Sequence, residues 1–315
     1  MNNSFRKWGL FMITKNHVIF CAPVLLCLLL FAGCSKTDTH ETANELRFSL
    51  TDISDITISY DEEDITFYDS DDDTLIIKEY MTVKKKSYFA KVKQRKNSLH
   101  ISEGGKPIFK GDFNRHIEIY LPLSYQNNLS ITTTDGNINL SDIDLNVSDL
   151  QIDSTSGTVQ VSHAQADQMH LSSTSGTFKL GSLTAESISI KTTSGNVMCK
   201  EIDGSVTYTS TSGNAEFQSA IGFGRFTAEN SGRLSVCYTN VDGDLTLFNK
   251  NDNINLVLPK NLEFEFEAIT KNGAISTNFQ KQIETDGDKI IGTIGGNPTA
   301  VVKVETKNGN IKVKQ

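Results

Sequence analysis

Asp153–Leu180 reads DSTSGTVQVSHAQADQMHLSSTSGTFKL and contains two copies of one short pattern that recurs along most of the chain. The central glycine of the pattern returns every 18 to 21 residues, at Gly136, Gly157, Gly176, Gly195, Gly213 and Gly232. Gly273 and Gly309 continue the pattern, and Asp252 occupies the equivalent position of a further copy. A fixed period of this size indicates one supersecondary unit that stacks on copies of itself.

Apolar and polar residues alternate on both sides of each repeat glycine. After Gly157, for example, Val159 and Val161 flank a polar residue, and the same order follows most of the other glycines. A second apolar pair, such as Leu150 and Ile152, stands seven and five positions before the glycine in most repeats. Period-two alternation predicts strands with one buried and one exposed face. Each repeat therefore predicts two strands that meet at a Ser/Asn-Gly corner, where the backbone is expected to have a positive φ.

A unit of this size cannot bury its apolar face alone and needs stacked neighbours. The sequence therefore predicts an all-β fold, a single-stranded parallel β-solenoid similar to a β-helix. Its two-strand rungs of about 19 residues are expected to stack about 4.8 Å apart into two facing sheets. The rung that ends at Gly232 departs from the pattern, because Arg225 and Thr227 stand where apolar residues are expected. The neighbouring Phe223 and Phe226 predict a local slip or bulge of one residue.

The first 33 residues read as a leader that is separate from the fold. Val24–Phe31 is an apolar run that is short for a membrane span, and it ends at Gly33 and Cys34. This stretch resembles a bacterial lipoprotein signal with Cys34 in the lipobox cysteine position. The resemblance implies cleavage after Gly33 and a lipid anchor on the Cys34 sulfur, which makes the membrane a partner. An ordinary signal peptide and an uncleaved anchor are the alternatives, and either Met1 or Met12 is the start.

We predict four segments with one insertion. They are a lipoprotein-type signal peptide (1–33), a polar tether (34–44), N-terminal β-strands that cap the solenoid (45–130) and the repeat solenoid (131–315). A hairpin insertion near 280–296, around Asp286 and Gly287, accounts for the long step from Gly273 to Gly309.

Charge and cysteine content narrow the class of protein. The net charge of −8 and a pI near 5.3 argue against nucleic acid as a partner. Outside the leader and Cys34, only Cys199 and Cys237 remain, two rungs apart. Strand spacing separates them by about 9–10 Å, which exceeds the reach of a disulfide, so we expect both to be unpaired.

A column of hydroxyl residues stands three positions before most of the repeat glycines. Its members are Thr133, Ser154, Ser173, Thr192, Ser210, Thr270 and Thr306. These hydroxyls either form a ladder that binds a repetitive ligand such as a glycan, or they hydrogen-bond the backbone of their own corner. Turn chemistry favours the second interpretation.

Two charged clusters are further candidates for a site. Asp69–Asp73 could offer oxygen ligands to calcium, but it lacks the glycine and distal Glu of an EF-hand, which favours a solvated hairpin turn. The second cluster is basic and comprises Lys84, Lys85, Lys86, Lys91, Lys93, Arg95 and Lys96. It could contact anionic lipid headgroups or teichoic-acid-like polymers, but its alternating spacing favours an exposed strand edge that blocks association.

Glycan cleavage on a β-solenoid would need convergent carboxylates on one outer face. Glu216 is the one acidic residue in the outward column that follows the glycines, and His163 and His170 lack a triad or metal-ligand context. The sequence therefore predicts no catalytic, cofactor-binding or metal-binding residue, and no enzyme.

Three pairs of segments resemble a bacterial envelope family described as "putative adhesins" with β-strand repeats. The pairs are IEIYLPLSY (117–125) with TDGNI (134–138), LVLPKNLEF (256–264) with KNGAIST (271–277), and GGNP (295–298) with TKNGNI (306–311). The resemblance implies a β-solenoid, extracytoplasmic placement and no known catalysis. It carries no ligand-binding residues over to this chain.

The leading functional hypothesis is a non-enzymatic, lipid-anchored cell-envelope solenoid that presents an adhesive or structural surface to protein or glycan. A second hypothesis is an accessory lipoprotein that modulates an envelope-stress response through one specific patch, for which Gly222–Phe226 is the best candidate. A glycan-active enzyme is the remote third hypothesis, because paired carboxylates are missing from the repeats.

Overall fold

The computed structural model describes residues 41–109, 111–279 and 283–315. The leader and Cys34 lie outside the described residues, and so does the first part of the tether. All described residues belong to one compact unit. No helix in the described part of the chain is long and apolar enough to cross a membrane.

Long parallel strands form the centre of the molecule. They are numbered in chain order, after eight strands of the N-terminal region: β9 (Ile138–Ser154), β10 (Thr158–Ser173), β11 (Thr177–Thr192), β12 (Val197–Ser210), β13 (Ala215–Ala228) and β14 (Leu234–Asn249). Each strand pairs in parallel with the next, and Val159 of β10, for example, lies between Ile138 and Phe178. The predicted all-β parallel solenoid is confirmed. The two strands expected for each repeat are the two halves of one continuous strand.

Each rung bends twice between its glycine corners. In β10 the β-ladder omits Ser162 and Asp167, and the inward alternation of side chains restarts after each of these points. Ala164 and Ala166 point inward between the two bends. Each rung therefore has a third short side, which the sequence pattern does not reveal because its inward residues are small and flanked by polar ones.

The irregular rung keeps its place in the stack through one extra corner residue. Phe226 of β13 pairs with Tyr208 on one side and Leu247 on the other, so this half of the strand is in register with both neighbours. The pairing with β14 is irregular between Phe217 and Gly224. Three residues stand between Ala228 and Gly232 in this corner, whereas two stand between Ser210 and Gly213 in the preceding one. The predicted one-residue slip is confirmed, and it explains why Arg225 and the half-exposed Thr227 do not point into the core.

Shorter strands close the N-terminal end. They are β1 (Thr42–Ser49), β2 (Asp55–Ser59), β3 (Asp64–Ser70), β4 (Thr74–Met81), β5 (Lys91–Arg95), β6 (Ser98–Ser102), β7 (Arg115–Pro122) and β8 (Asn128–Thr133), with a short 3-10 helix at Lys86–Tyr88. Strands β2 and β3 form a rung that lies between β8–β9 and β6–β7. Antiparallel strands β5 and β4–β1 then cover the outer side of this region.

The C-terminal end is closed by a rung that is out of chain order. Its strands are β15 (Ile254–Val257), β16 (Phe264–Thr270), β17 (Ile275–Thr277), β18 (Ile283–Asp286), β19 (Lys289–Ile294), β20 (Ala300–Thr306) and β21 (Ile311–Lys314). Strands β20 and β21 lie between β14–β15 and β16–β17, so the last repeat of the sequence occupies the penultimate layer. Strands β18 and β19 form an antiparallel hairpin that packs against β16.

Candidate ligand-binding wall

The hydroxyl column lies inside the corners and does not face a ligand. Thr133, Thr192 and Thr306 are each at most 3 % exposed, and the other members of the column are also buried. The Gly195 N–H donates to Thr192 Oγ1 over 2.8 Å, and the Gly176 N–H donates to the Ser173 hydroxyl over 2.8 Å. The interpretation as a hydroxyl ladder for ligands is wrong, and the alternative, bonding to the local backbone, is confirmed.

Glycine is required at the corners for two different reasons. A Cβ on Gly195 would lie 1.9 Å from the carbonyl oxygen of Gly176 in the neighbouring rung. This distance is too short for any side chain at position 195. A Cβ on Gly213 would likewise lie 2.3 Å from the Gly195 carbonyl oxygen, and Gly213 also has a φ of +117°, which L-residues rarely adopt. The expected positive φ is therefore right for some corners, whereas close stacking of the backbones applies at both of these.

Outward side chains on the first side of each rung form a continuous surface, which we call the polar wall. Its central residues are Asn196, Met198, Asn214, Glu216, Arg233 and Ser235. They border a shallow depression of about 910 Å³ that crosses several rungs and reaches Lys312 on β21. A second depression of about 520 Å³ continues it around Lys179, Lys200 and Glu201, with Met198 shared between the two.

Asparagine side chains hold the polar wall together. The Asn196 Oδ1 accepts the backbone N–H of Asn214 over 3.0 Å, and the Asn214 Oδ1 accepts that of Arg233 over 2.9 Å. Because these amides bind adjacent rungs, their positions repeat at the rung spacing. The next outward column, which contains Met198, Glu216 and Ser235, remains directed toward solvent. Met198 is 46 % exposed, so the wall also offers an apolar contact.

Basic residues outnumber acidic ones on the polar wall. Four cationic side chains border the two depressions, namely Lys179, Lys200, Arg233 and Lys312. The acidic side chains that border them are Glu201 and Glu216. The whole chain has the opposite sign, with a net charge of −8. The wall is therefore a locally cationic surface on an acidic protein, and it favours an anionic ligand.

The two charged clusters of the sequence occupy surface positions. Residues 71–73 are exposed, as expected of a solvated turn, but the turn is not a hairpin because β7 lies between β3 and β4. Burial is the largest cause of a raised pKa of Asp69. The structure describes no group of three or more metal-ligating side chains in residues 41–109, 111–279 and 283–315. The interpretation of Lys91, Lys93 and Arg95 as an exposed edge is confirmed, because β5 is fully exposed and, among the strands that the structure describes, pairs with β6 alone.

The proposed specific patch at Gly222–Phe226 is smaller than expected. Phe226 is fully buried, and its ring packs 5.1 Å from the ring of Phe217 with edge-to-face geometry. Phe223 is 41 % exposed, and its ring lies over Gly243, which has no side chain to obstruct it. Phe223 is therefore the one apolar side chain of this patch that a partner can contact among the described residues.

A buried carboxylate lies in the N-terminal region, and the sequence pattern does not identify it. The Glu79 side chain is fully buried and accepts hydrogen bonds from Asn44 Nδ2 at 2.7 Å, the Ala90 N–H at 2.8 Å and the Tyr60 hydroxyl at 3.3 Å. Burial raises the pKa of Glu79, and these donors and Arg115 oppose the shift. The partners are far apart in the sequence, so no local motif indicates the site.

An ion-pair network lies beside Glu79. Arg115 is buried and donates to Glu63 Oε1 at 2.7 Å, to the Tyr88 carbonyl at 2.7 Å and to Glu103. The Lys106 Nζ lies 2.9 Å from the Glu103 carboxylate. Burial raises the pKa of Glu103. Because the carboxylates are paired with the buried Arg115 and the half-buried Lys106, the network is suited to joining the loops of this region and not to acid–base chemistry.

The cysteines of the solenoid are free. Cys199 is buried, and Cys237 is partly exposed. Burial raises the pKa of the Cys199 thiol to about 12. Cys199 is therefore an inert core residue at neutral pH.

A family model described as Toastrack DUF4097 matches residues 53–314. The chain is also similar to a solved "putative adhesin" from Bacteroides fragilis, with 14 % identity, a TM-score of 0.37 and coverage of 86 % of this chain and 96 % of that chain. A "putative adhesin" from Parabacteroides distasonis shows 12 % identity and a TM-score of 0.38, over 85 % of this chain and 96 % of that one. A "putative cell adhesion protein" from Clostridium sporogenes shows 11 % identity and a TM-score of 0.28, over 86 % and 99 %. None of the curated proteins matches the chain.

Proposed function

The chain belongs to the Toastrack DUF4097 family, and from that premise we propose that it is a non-enzymatic, lipid-anchored protein of the bacterial cell envelope. Its polar wall is the functional surface. The wall binds an extended anionic ligand, either a glycan or an acidic segment of an envelope protein. The cationic excess of the wall on an acidic chain is the observation that carries this proposal.

The geometry of the wall suits an extended ligand better than a small substrate. Its depressions are shallow and cross successive rungs, so equivalent groups recur at the strand spacing of about 4.8 Å. Small-molecule sites are usually enclosed and have a few convergent polar groups. Repeated weak contacts along a wall instead add up through multivalency, which is how an adhesive surface gains affinity.

Binding to defined polymers tests the function of the wall. We expect the chain to bind anionic glycans and acidic peptides in low salt, and to bind neutral glycans much more weakly. Replacing Arg233 and Lys312 by Glu should weaken this binding at least tenfold. The same charge change at Lys191 and Lys260, which are exposed and border neither depression, is the matched control and should leave binding within about twofold. Equal losses in both pairs would refute a role for the wall.

Cys34 is the proposed site of the lipid anchor, on the basis of its lipoprotein-type leader. More than one acyl chain gives stable attachment, since each buried CH₂ contributes about 0.8 kcal/mol. Labelling with radioactive palmitate should mark the wild-type protein and should be lost in Cys34→Ala. Labelling that persists in Cys34→Ala would rule out this anchor.

A regulatory role in an envelope-stress response is the second candidate, and the exposed ring of Phe223 favours it. A single apolar anchor on an irregular rung is typical of one specific protein contact. Cross-linking in native envelopes should then capture one stoichiometric partner that Phe223→Ala loses. Capture that is unaffected by Phe223→Ala but lost when Arg233 and Lys312 are replaced by Glu would favour the adhesive function.

A further inference from the structure

Two loops lie side by side at the N-terminal end of the solenoid, and we call their described residues the cap loops (82–90, and 103–109 with 111–114). The Thr82 hydroxyl donates to the Asp112 carbonyl over 3.0 Å, and the Thr82 N–H donates to the Asn114 carbonyl over 3.1 Å. The Gly105 N–H also donates to the Ser87 carbonyl over 2.8 Å. The cap loops are therefore fixed to each other through their backbones and present one common surface.

Large apolar side chains project from the cap loops into solvent. Ile108 is 94 % exposed and Phe109 is 89 % exposed, which makes them the most exposed large apolar residues in the part of the chain that the structure describes. Val83, on the other cap loop, is 49 % exposed. Burial of such side chains in an apolar environment is favourable, so two adjacent ones left in water mark a surface that another phase or molecule covers.

Lysines lie on the same loops and on the adjoining edge strand. Lys84, Lys85 and Lys86 are exposed on the first cap loop. The exposed edge strand β5 adds Lys91, which pairs with Ser102 where the second cap loop begins. The nearby carboxylates of Glu63 and Glu103 are engaged by Arg115 and Lys106. Glu41 pairs with Lys84, and Asp112 is exposed on the second cap loop, so the four lysines outnumber these two acidic residues. Apolar tips beside basic residues are typical of surfaces that lie on anionic lipid.

The N-terminal chain enters the described structure at the same surface. The Glu41 carboxylate lies 2.8 Å from the Lys84 Nζ. Glu41 follows Cys34 by seven residues, which span at most about 25 Å when fully extended. A lipid anchor on Cys34 would therefore hold the cap loops close to the membrane.

We infer that the cap loops are a membrane-docking surface, in which Ile108 and Phe109 insert into the interface of an anionic bilayer and the neighbouring lysines contact its headgroups. The anchor argument rests on the proposed function, whereas the apolar and basic surface is present without it. Docking at the N-terminal end would leave the C-terminal rungs as the part of the stack farthest from the lipid.

Vesicle binding by a chain that begins at Thr37 tests this inference. That chain keeps the whole described core and lacks Cys34 and Trp8, the only tryptophan. We expect it to partition onto vesicles that contain phosphatidylglycerol and not onto pure phosphatidylcholine. Replacing Lys84, Lys85 and Lys86 by Gln should weaken partitioning by about fivefold for each lysine, or about a hundredfold in total. The matched control replaces the exposed Lys250, Lys271 and Lys307 by Gln and should have little effect.

A tryptophan probe locates the contact. In Phe109→Trp the emission should shift to the blue on anionic vesicles and be quenched by brominated lipid, whereas Phe223→Trp should show neither change. Quenching at Phe223→Trp alone, or binding that is equal on neutral vesicles, would overturn the inference. Circular dichroism of each variant verifies that it folds. Because Cys34 is absent, failure here would leave the anchor proposal to the palmitate experiment on the full chain.

Discussion

Asn310 donates its backbone N–H to the side-chain oxygen of Asn253 over 2.8 Å, although 57 residues separate them along the chain. This contact joins β21 to the rung of β15, and β21 in turn pairs with β17. The last repeat therefore fills the gap between two earlier ones. Among the described strands β17 pairs with β21 alone, so the layer of β16 and β17 depends on the C-terminal strands for its attachment to the stack.

Truncation at Thr299 should disrupt more than the final rung. Loss of β20 and β21 removes the parallel partners of β16 and β17 and separates their layer from β14 and β15. We expect a loss of more than about 4 kcal/mol in unfolding free energy and proteolytic cleavage after residue 258. Urea unfolding and limited proteolysis measure both effects. As a control, replacing residues 283–294 by a short linker removes only the outermost hairpin and should destabilise the protein less than the truncation does. Equal losses of stability in the two variants would contradict the placement of β20 and β21 between the two earlier layers.

Gly195→Ala should be severely destabilising because the new Cβ would overlap the Gly176 carbonyl at 1.9 Å. The rungs would have to separate at that corner, at an expected cost of at least about 3 kcal/mol. Gly296→Ala is the control, since nothing lies within 4 Å of the position that its new Cβ would take, and it should change stability by less than about 1 kcal/mol. Thermal and urea unfolding would compare the two; similar stabilities would show that the stacked backbones can move apart.

The repeat fold could be predicted from the sequence because its information is local and periodic. The glycine spacing and the alternation around residues such as Val159 determine the strands, their inward faces and the parallel stack. The threaded order of the ends could not be predicted in this way. The corners at Asp252, Gly273 and Gly309 have similar sequences, and nothing local states which corner stacks on which.

The candidate sites were only partly predictable, for a related reason. The edge role of Lys91 and Lys93 follows from their alternating spacing. The cationic wall does not, because Lys179 and Lys312 become neighbours of one surface only after stacking and threading. The burial of Glu79 is likewise a long-range effect, since its hydrogen-bond donors come from three separate segments.

Thr192→Val should destabilise the protein although it preserves the shape of the side chain. It removes the acceptor of the buried Gly195 N–H, and an unsatisfied buried donor costs about 1–3 kcal/mol. Thr192→Ser retains the acceptor and resembles the corners at Ser154 and Ser173, so it should cost less. Urea unfolding measures the difference. If the Thr192→Val protein were as stable as the Thr192→Ser protein, the hydroxyl would have no structural role at this corner.

Cys199 should resist alkylation in the folded protein. Burial raises the pKa of its thiol to about 12, so almost no reactive thiolate is present at neutral pH. In a chain from Thr37, iodoacetamide at pH 8 should modify the partly exposed Cys237 first, and Cys199 only after unfolding. Peptide mass spectrometry distinguishes the two sites. Rapid labelling of Cys199 without denaturant would mean that this rung opens easily.

Glu79 should make the protein more stable as the pH falls toward the acidic range. Its folded-state pKa is raised above the ordinary value of 4.5 by burial, so the folded protein holds the proton more tightly than the unfolded chain. The contribution is fully present below the unfolded pKa and is lost as the pH rises through the folded pKa. Glu79→Gln should remove this dependence. The unfolding free energy of the Gln variant minus that of the wild type should therefore increase as the pH rises from the unfolded pKa of Glu79 to its folded pKa.

The Gln variant isolates the charge because it retains the hydrogen bonds. Its Oε1 can accept from Asn44 and Ala90, and its Nε2 can donate to the Tyr60 oxygen. Glu79→Ala leaves those donors unsatisfied at every pH and should cost about 2–4 kcal/mol. Urea unfolding across the acidic to neutral range compares the three proteins. A Gln-to-wild-type difference that stays flat with pH would mean that Glu79 does not change its protonation on folding, and that its role is that of a hydrogen-bond acceptor alone.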